Sequence, residues 1–209
     1  PPAGLAVLLL HTLNPFGFAR IRRANEENID LNRNFLEPDQ FVRLRDETAK
    51  HFGPLDPYLD PPRAPGRFNW FPILFPWMAL RFGMKVLQHV MPAGQYAFPK
   101  GIFYGGEQHA QSTRVIMNEM QRWLGVAQQV LHLDFHTGLG PFATYKLLAS
   151  EAAGSERVHQ AERLFGKERV EADHLTPGGY HNYGDMGEWL GRRFADRGYI
   201  YLCAEFGTY

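Results

Sequence analysis

Hydrophobic and polar positions divide the chain into short apolar runs and longer amphipathic stretches. Residues 5–11 and 130–136 are runs of strand length that turn signals close, NPFG in the first case and TGLGP in the second. Residues 199–206 form a third run, rich in aromatic and apolar side chains. The pattern predicts three strands, and continuous apolar runs are typical of a sheet covered on both faces.

Three further stretches have the spacing of amphipathic helices. Apolar side chains recur every three or four positions in residues 39–51, 108–124 and 187–198, and Gly198 is the expected C-cap of the third. Strands that alternate with helices favour an α/β fold. We therefore expect a mixed, largely parallel sheet with helices on both faces.

Residues 53–106 interrupt this alternation. They are dense in Pro, Gly and aromatic residues, and we interpret them as a long insertion or an elaborated loop within a single domain that spans residues 1–209. Both ends of the chain lie beside predicted strands. We expect an incomplete domain that is truncated at both ends.

Composition argues against some classes of partner. The chain has 22 basic and 22 acidic residues, so no overall positive field attracts nucleic acid or an acidic membrane surface. The most apolar window, residues 68–84, is interrupted by Pro72 and Pro76, which leaves no uninterrupted span of about 20 apolar residues. We expect neither a nucleic-acid partner nor a membrane partner, and the sequence does not fix the oligomeric state.

Cysteine usage and the opening residues bear on the compartment. Cys203 is the single cysteine, which excludes an internal disulfide framework and is compatible with a reducing compartment. No charged segment followed by an apolar core and a cleavage site opens the sequence. The location is not fixed, although the cytoplasm is favoured, and we expect Cys203 to be a small core residue.

Two of the predicted strands end in residues that can carry chemistry. His136 ends the second strand and Glu205 nearly ends the third. Ligands of an open α/β sheet bind beyond the carboxyl ends of its strands, so neighbouring parallel strands would present both side chains to one crevice. The pair suits metal-dependent hydrolysis or acid and base catalysis. The alternative for each residue is a hydrogen-bonded structural group.

Other acids and histidines lie near this pair in sequence or share its pattern. Alternation places His132 and Asp134 on the face of His136, where Asp134 would orient the ring of a metal-binding histidine. The alternative for Asp134 is a buried acid bonded to the backbone, and we expect His132 to be structural. The spacing in HQAE, residues 159–162, could join two ligands, but the surrounding charged segment favours a solvated helix.

The segment NIDLNRNF, residues 28–35, is dense in planar hydrogen-bonding groups. It holds Asn32, Arg33 and Asn34 in one short turn, and the preceding RIRRANEEN adds Arg23 to a cluster of arginines. Guanidinium groups suit carboxylates and oxyanions. The alternatives are turn formation by the asparagines and solvent exposure or pairing with nearby glutamates for the arginines.

Together, HTLNPFGF, RRANEENIDLNRNF, LDFHTG and AEFGT resemble the zinc carboxypeptidase superfamily, and most closely its bacterial carboxypeptidase-like branch. The resemblance runs over almost the whole chain, and its most specific element is NIDLNRNF preceded by NP.G and an arginine cluster. It implies a zinc-dependent metallopeptidase-like hydrolase that cleaves an amide bond next to a free carboxylate. The implied substrate is a peptide or an N-acyl amino acid.

The resemblance also implies roles for individual residues. His136 matches the last of three zinc ligands, and Glu205 matches the general base. Asn32 and Arg33 match the pair that holds the terminal carboxylate of the substrate. Arg23, followed by Asn25 in an R.N pattern, matches the arginine that stabilises the oxyanion.

Tyr183 is similar to the mobile substrate-binding tyrosine of the family, since it lies 22 residues before Glu205. The neighbouring Tyr180 in GGYHNYG is an alternative for that role. Residues 98–108 are candidates to line the pocket or to form a structural turn. The stretch from residue 53 to 106 could narrow the site or form a protein contact.

One departure from the family pattern matters. The first two zinc ligands of the family form an H-x-x-E motif upstream of NP.G, and the residues before that point here do not contain it. A catalytic zinc needs about three protein ligands. We expect truncation, so that this fragment alone is inactive; the alternative is a metal-free binding module for carboxylates.

A second alternative is another kind of enzyme. The D.H pattern of Asp134 and His136 is similar to that of the related aspartoacylase-like branch, which implies hydrolysis of N-acyl amino acids. Side-chain preference for the substrate does not follow from the sequence.

Overall fold

A computed structural model describes residues 4–61, 66, 70–137, 140–172 and 182–208 of the chain. These residues contain eight α-helices and one four-stranded sheet, which confirms the α/β fold. The chain forms two compact units: a first unit of residues 1–123 and 180–185, and a second unit of residues 124–179 and 186–209. Each unit is described by itself, and the single domain expected over residues 1–209 stays a prediction.

The first unit is helical. A one-turn 3-10 helix at Leu31–Arg33 lies between its first two helices. The α-helices are α1 (Pro15–Arg20), α2 (Pro38–Phe52), α3 (Asp56–Leu59), α4 (Phe71–Phe82), α5 (Met84–Ala93) and α6 (Gln111–Leu124).

Helix α2 begins at a reciprocal cap. The Glu37 side chain accepts from the backbone of Gln40, whose side chain accepts from the Glu37 amide at 2.7 Å. Pro38 occupies the first turn, where its missing N–H costs nothing. Phe41 and Leu44 on the inner face are buried, which confirms the helix predicted from apolar spacing over residues 39–51.

The stretch from residue 53 to 106 holds three helices, α3, α4 and α5. Its interpretation as a long insertion within a single domain stays a prediction. Pro72 lies in the first turn of α4 and Pro76 lies within it. Proline in a first turn is favourable, and an internal proline removes a single backbone bond that packing offsets here. Met78 is fully buried in a cluster with α3 and α5. In contrast, Leu80 on the outer face is 88% exposed.

A helix crosses a bilayer only if it is long enough and sufficiently apolar. Among the described residues, no helix reaches the length and apolar content needed to cross a membrane.

The second unit is built on the sheet. Its strands are β1 (Gln129–Thr137), β2 (Tyr145–Ala149), β3 (Val170–Ala172) and β4 (Gly198–Phe206), joined by α7 (Glu156–Phe165) and α8 (Met186–Arg193). The order is β1-β4-β2-β3. The pairs β1/β4 and β2/β3 are parallel and β2/β4 is antiparallel, so the sheet is mixed and largely parallel as predicted.

Helices cover both faces of this sheet. Leu202 of β4 is fully buried in a cluster with Ala161 of α7. Side chains alternate along a strand, so Tyr201 belongs to the opposite face. There Gly187 of α8 lies so close that a Cβ atom would come within 2.3 Å of the Tyr201 ring. The two helices therefore pack on opposite faces, which confirms the prediction.

Two local predictions were wrong. Residues 5–10 carry neither strand nor helix, and Leu9 is 86% exposed. An apolar run becomes a strand only when a neighbouring strand accepts its backbone hydrogen bonds, and the described part of the chain supplies none. Gly198 is not a C-cap: α8 ends at Arg193, and Gly198 begins β4.

Candidate functional site

The parallel register of β1 and β4 builds a polar row on one face of the second unit. His136 lies directly opposite Glu205, Asp134 lies opposite Cys203, and the row continues to His132. Because side chains alternate, these groups share the face that α8 covers, whereas Leu133 of β1 packs on the α7 side. The two strands are therefore parallel neighbours, and His136 and Glu205 lie at the same end of them.

A chain of hydrogen bonds holds the His136 ring. Its Nε2 lies 2.9 Å from Asp134 Oδ2, and the Tyr201 hydroxyl donates to the same oxygen at 2.9 Å. With Nε2–H donated to Asp134, the free lone pair of a neutral ring is on Nδ1, which lies 3.9 Å from Glu205 Oε1. Asp134 thus has the predicted position behind the histidine.

This geometry couples the ionisation of His136 to that of Asp134. The hydrogen bond to Asp134 raises the pKa of His136 to about 10, so the ring is protonated at neutral pH when no metal competes for it. Burial opposes ionisation of Asp134, but its hydrogen bond with His136 holds the Asp134 pKa below the usual value.

Cys203 joins this site, which the sequence analysis missed. Atoms of His136, Cys203 and Glu205 that can bind metal all lie within 4.8 Å of one another. Cys203 is half-buried on the polar face, so its assignment as a core residue was wrong. The signal was available: Cys203 lies two positions before Glu205 on a strand, and such residues share a face.

Two electrostatic details distinguish these groups. Burial raises the pKa of the Cys203 thiol. The Glu205 Oε2 atom is buried and has no hydrogen-bond partner among the residues that the structure describes. Buried carboxylate oxygens are usually bonded, so this atom marks a place where a ligand or a proton is expected.

His132 is structural, as expected. Its Nδ1 lies 2.8 Å from the Tyr199 hydroxyl, and its ring packs edge-on against Tyr201. Burial lowers the pKa of His132, which favours the neutral ring. The other histidine considered as a ligand, His159, lies on α7 and pairs with Glu162 at 3.1 Å, which is the behaviour of a solvated helix face.

Asn32 and Arg33 belong to the 3-10 turn of the first unit. Asp30 caps this turn by accepting from the Asn32 amide at 3.2 Å, and the Asn32 side chain donates to Asp185 at 3.2 Å. The Arg33 guanidinium donates to the Asn32 carbonyl at 2.7 Å, and the residue is 3% exposed. A Cβ on Gly94 would lie 2.8 Å from Arg33 Cδ, so glycine at that position leaves room for the side chain.

Asn34, the third planar group of the segment, holds the first unit together. It is fully buried and donates to the Gly105 and Gln108 carbonyls at 2.6 and 2.9 Å. Its Oδ1 accepts from the Ala110 amide at 2.8 Å. All three bonds reach a segment more than 70 positions away in sequence, which gives Asn34 a structural role.

Arg23 is anchored at its base and accessible at its tip. Its Nε lies 2.7 Å from Asp30 Oδ2, and its guanidinium carbon lies 5.2 Å from the centre of the Phe103 ring. The side chain is nevertheless 55% exposed. The geometry leaves guanidinium nitrogens available to an anion.

Tyr183 donates from its hydroxyl to Glu47 at 3.2 Å, and its backbone amide donates to Ala93. Burial, followed by the charge of Glu47, raises the pKa of Tyr183. The residue lines a cleft of about 210 Å³ in the first unit, together with His51 and Gly94. The alternative, Tyr180, lies outside the described residues.

Residues 98–108 line a separate cleft of about 370 Å³ in the first unit. Pro99, Tyr104, Glu107 and Gln108 contribute to it, and acidic residues at 26 and 27 face the same space. The convergence of this unit's Arg23, Asn32, Arg33 and Tyr183 on His136 and Glu205 stays a prediction.

Comparison with known proteins gives one family. The family model described as "Protein of unknown function (DUF2817)" matches residues 1–209. Comparisons with curated proteins and with solved structures find no match.

Proposed function

From the premise that the chain belongs to this DUF2817 family, we propose that it is a zinc-dependent, metallocarboxypeptidase-like hydrolase that cleaves an amide bond next to a free carboxylate. One observation carries the proposal: His136 and Glu205 face each other on neighbouring parallel strands, with the His136 ring held by Asp134. This is the arrangement that an imidazole ligand and a catalytic carboxylate need. The residue motifs that resemble the zinc carboxypeptidase superfamily support the substrate class.

The residues present fit a zinc ion. An imidazole nitrogen, a thiol and a carboxylate are ligands that zinc accepts, and all three donor groups occur within 4.8 Å of one another. The buried, unpartnered Oε2 of Glu205 is a further sign of a missing positive partner. His136 would hold the metal through Nδ1, with further ligands implied by the family resemblance. Bound zinc supplies Lewis acidity toward the scissile carbonyl and lowers the pKa of a water.

Glu205 is the proposed general base. Its side chain is 13% exposed, so its carboxylate is shielded from bulk water, and one of its oxygens has no competing partner in the described structure. The carboxylate accepts a proton from the attacking water and returns that proton to the leaving amine nitrogen. Asp134 acts through His136 and is a positioning residue.

The arginines of the first unit are proposed for the substrate. Arg23 is 55% exposed and suits the developing oxyanion, where one fixed donor is worth on the order of 3 kcal/mol. Arg33, helped by Asn32, suits the terminal carboxylate through a bidentate contact. Since Arg33 is 3% exposed, this role requires the turn that carries it to move. Tyr183 is the proposed third substrate contact.

Substrate panels test the proposal directly. The full-length protein, loaded with zinc, is expected to hydrolyse blocked dipeptides with a free C-terminal carboxylate at least about 100-fold faster than their C-terminal amides. The reason is that the amides lose the charge-assisted contact to arginine. Chelation is expected to abolish turnover, and readdition of about one equivalent of zinc to restore it. Equal rates on acid and amide, or full activity after chelation, would contradict the proposal.

A second candidate is an aspartoacylase-like amidohydrolase, whose D.H pattern is similar to Asp134 and His136. The 2.9 Å contact between these two residues is compatible with either enzyme. Cleavage of N-acetyl amino acids in preference to dipeptides in the same panel would select it. A protein that binds no zinc but still binds carboxylate-bearing peptides would be a metal-free binding module.

Asp134→Asn is expected to weaken zinc binding by about 10- to 100-fold, since the amide is a poorer acceptor for the His136 ring proton. Competition with a chromophoric chelator measures this affinity. Asp196→Asn is the matched control, because Asp196 is an exposed aspartate of the same unit. Equal zinc affinity in both variants would remove the positioning role of Asp134.

A further inference from the structure

We infer that Cys203 is a metal ligand, whose sulfur completes a three-donor zinc site with His136 Nδ1 and Glu205 Oε1. The inference rests on the proposed function only for the identity of the metal. It assigns a second and a third ligand within this chain, in place of the upstream H-x-x-E pair that the family resemblance implies.

The distances suit such a site. Zinc bonds of about 2.0–2.3 Å give donor-to-donor separations of roughly 3.3–3.7 Å in a tetrahedron. Glu205 Oε1 lies 3.9 Å from His136 Nδ1 and 3.9 Å from Cys203 Sγ. Contraction by a few tenths of an ångström along these two edges is within the reach of side-chain rotation. The backbone is already fixed by the parallel register of β1 and β4.

The neighbouring side chains already have other partners. Asp134 Oδ2 takes hydrogen bonds from His136 and Tyr201, so it supports the ring and is not a donor to the metal. His132 is bonded to Tyr199 further along the row. The Cys203 thiol has a long contact with Glu205 Oε1 at 3.9 Å and interacts with His136, whose Nδ1 lies 3.9 Å from the same oxygen. The Glu205 Oε2 atom is buried and unbonded in the described structure. A cation between them would compensate the buried charge.

The ligand set indicates which metal binds and how. A thiolate favours zinc, cobalt or cadmium over magnesium and calcium, which prefer oxygen ligands. Three protein ligands leave one tetrahedral position for water, which is the arrangement of catalytic rather than structural zinc. Within the proposed hydrolysis, Glu205 would hold the metal through Oε1, and its Oε2 atom would remain available to accept the proton.

Cobalt substitution tests the assignment without measuring activity. Addition of Co²⁺ to the metal-free protein is expected to produce a thiolate-to-cobalt charge-transfer band in the near ultraviolet, saturating at about one equivalent. Cys203 is the single cysteine of the chain, so the band has one possible source within it. Cys203→Ser is expected to lose the band and to bind zinc at least about 100-fold more weakly, since even an outer partner is worth about 10- to 100-fold.

Other results would overturn the inference. These are a cobalt spectrum without the charge-transfer band, or unchanged zinc affinity in Cys203→Ser. If that variant fails to fold, the rate of alkylation of Cys203 in the wild-type protein tests the inference instead. Zinc is expected to slow alkylation if the thiol is a ligand, and an unchanged rate would overturn the inference. A charge-transfer band in a protein that does not hydrolyse the substrates would support Cys203 as a ligand and contradict the proposed enzyme function. Hydrolysis without the band would support the enzyme function and contradict Cys203 as a ligand.

Discussion

Glu205→Gln is expected to reduce kcat by about 10²- to 10⁴-fold, because glutamine cannot accept the proton that a general base removes from water. The amide is close to the carboxylate in size and keeps an oxygen at the same place. Zinc is therefore expected to remain bound at about one equivalent, although less tightly. Kinetics on a dipeptide with a free C-terminus, together with metal analysis of the same sample, measure both effects.

The control for this variant is Glu171→Gln, because Glu171 is an exposed glutamate on β3 of the same sheet. It should retain full turnover. Substantial turnover by Glu205→Gln would show that another group takes the proton, and complete loss of zinc would show that Glu205 acts mainly as a ligand.

Asn34→Ala is expected to cost about 3 kcal/mol or more in the free energy of unfolding. The substitution leaves two carbonyls and one amide of residues 105, 108 and 110 without their partner, and each such loss in a buried place costs roughly 1–3 kcal/mol. For a chain of this size, 3 kcal/mol corresponds to a fall in Tm of roughly 6–12 °C. Urea titration and thermal melting followed by circular dichroism measure the change.

Asn118→Ala provides the matched comparison. Asn118 is exposed on α6, where alanine is the better helix former, so its stability should be equal or slightly higher. If Asn34→Ala melts with the wild type, the segment from residue 28 to 35 is held by other contacts, and the asparagine becomes available for a binding role.

The sheet was predictable where the pattern along the strand determines the fold. Alternation in β1 placed His132, Asp134 and His136 on one face, and the parallel strand β4 brought Glu205 opposite His136, as the strand-end argument required. The short strands β2 and β3 were not predicted. β3 has three residues, so its pairing with β2 is set by tertiary contacts rather than by local pattern.

The first unit shows what local patterns cannot give. The sequence predicted no helix in residues 71–82, yet Pro72 and Pro76 stand where a helix tolerates them and where packing around Met78 compensates. The density of asparagine and arginine in residues 23–34 indicated hydrogen bonding but did not show which side chains are buried. Asn34 is fully buried, whereas the Arg23 side chain is half-exposed. Distance along the sequence does not give distance in space, so the proximity of the arginines to His136 stays a prediction.

The position of β1 at one end of the strand order affects how the protein behaves in concentrated solution. Its nine residues, QVLHLDFHT, include neither lysine nor proline, and no strand in the described part of the chain pairs with its outer side. Such a border offers a row of unpaired amides and carbonyls on which another polypeptide can extend the sheet. Phe135, near the end of β1, is 70% exposed and adds an apolar side chain to this edge. We therefore expect association through this edge of the sheet to increase with protein concentration.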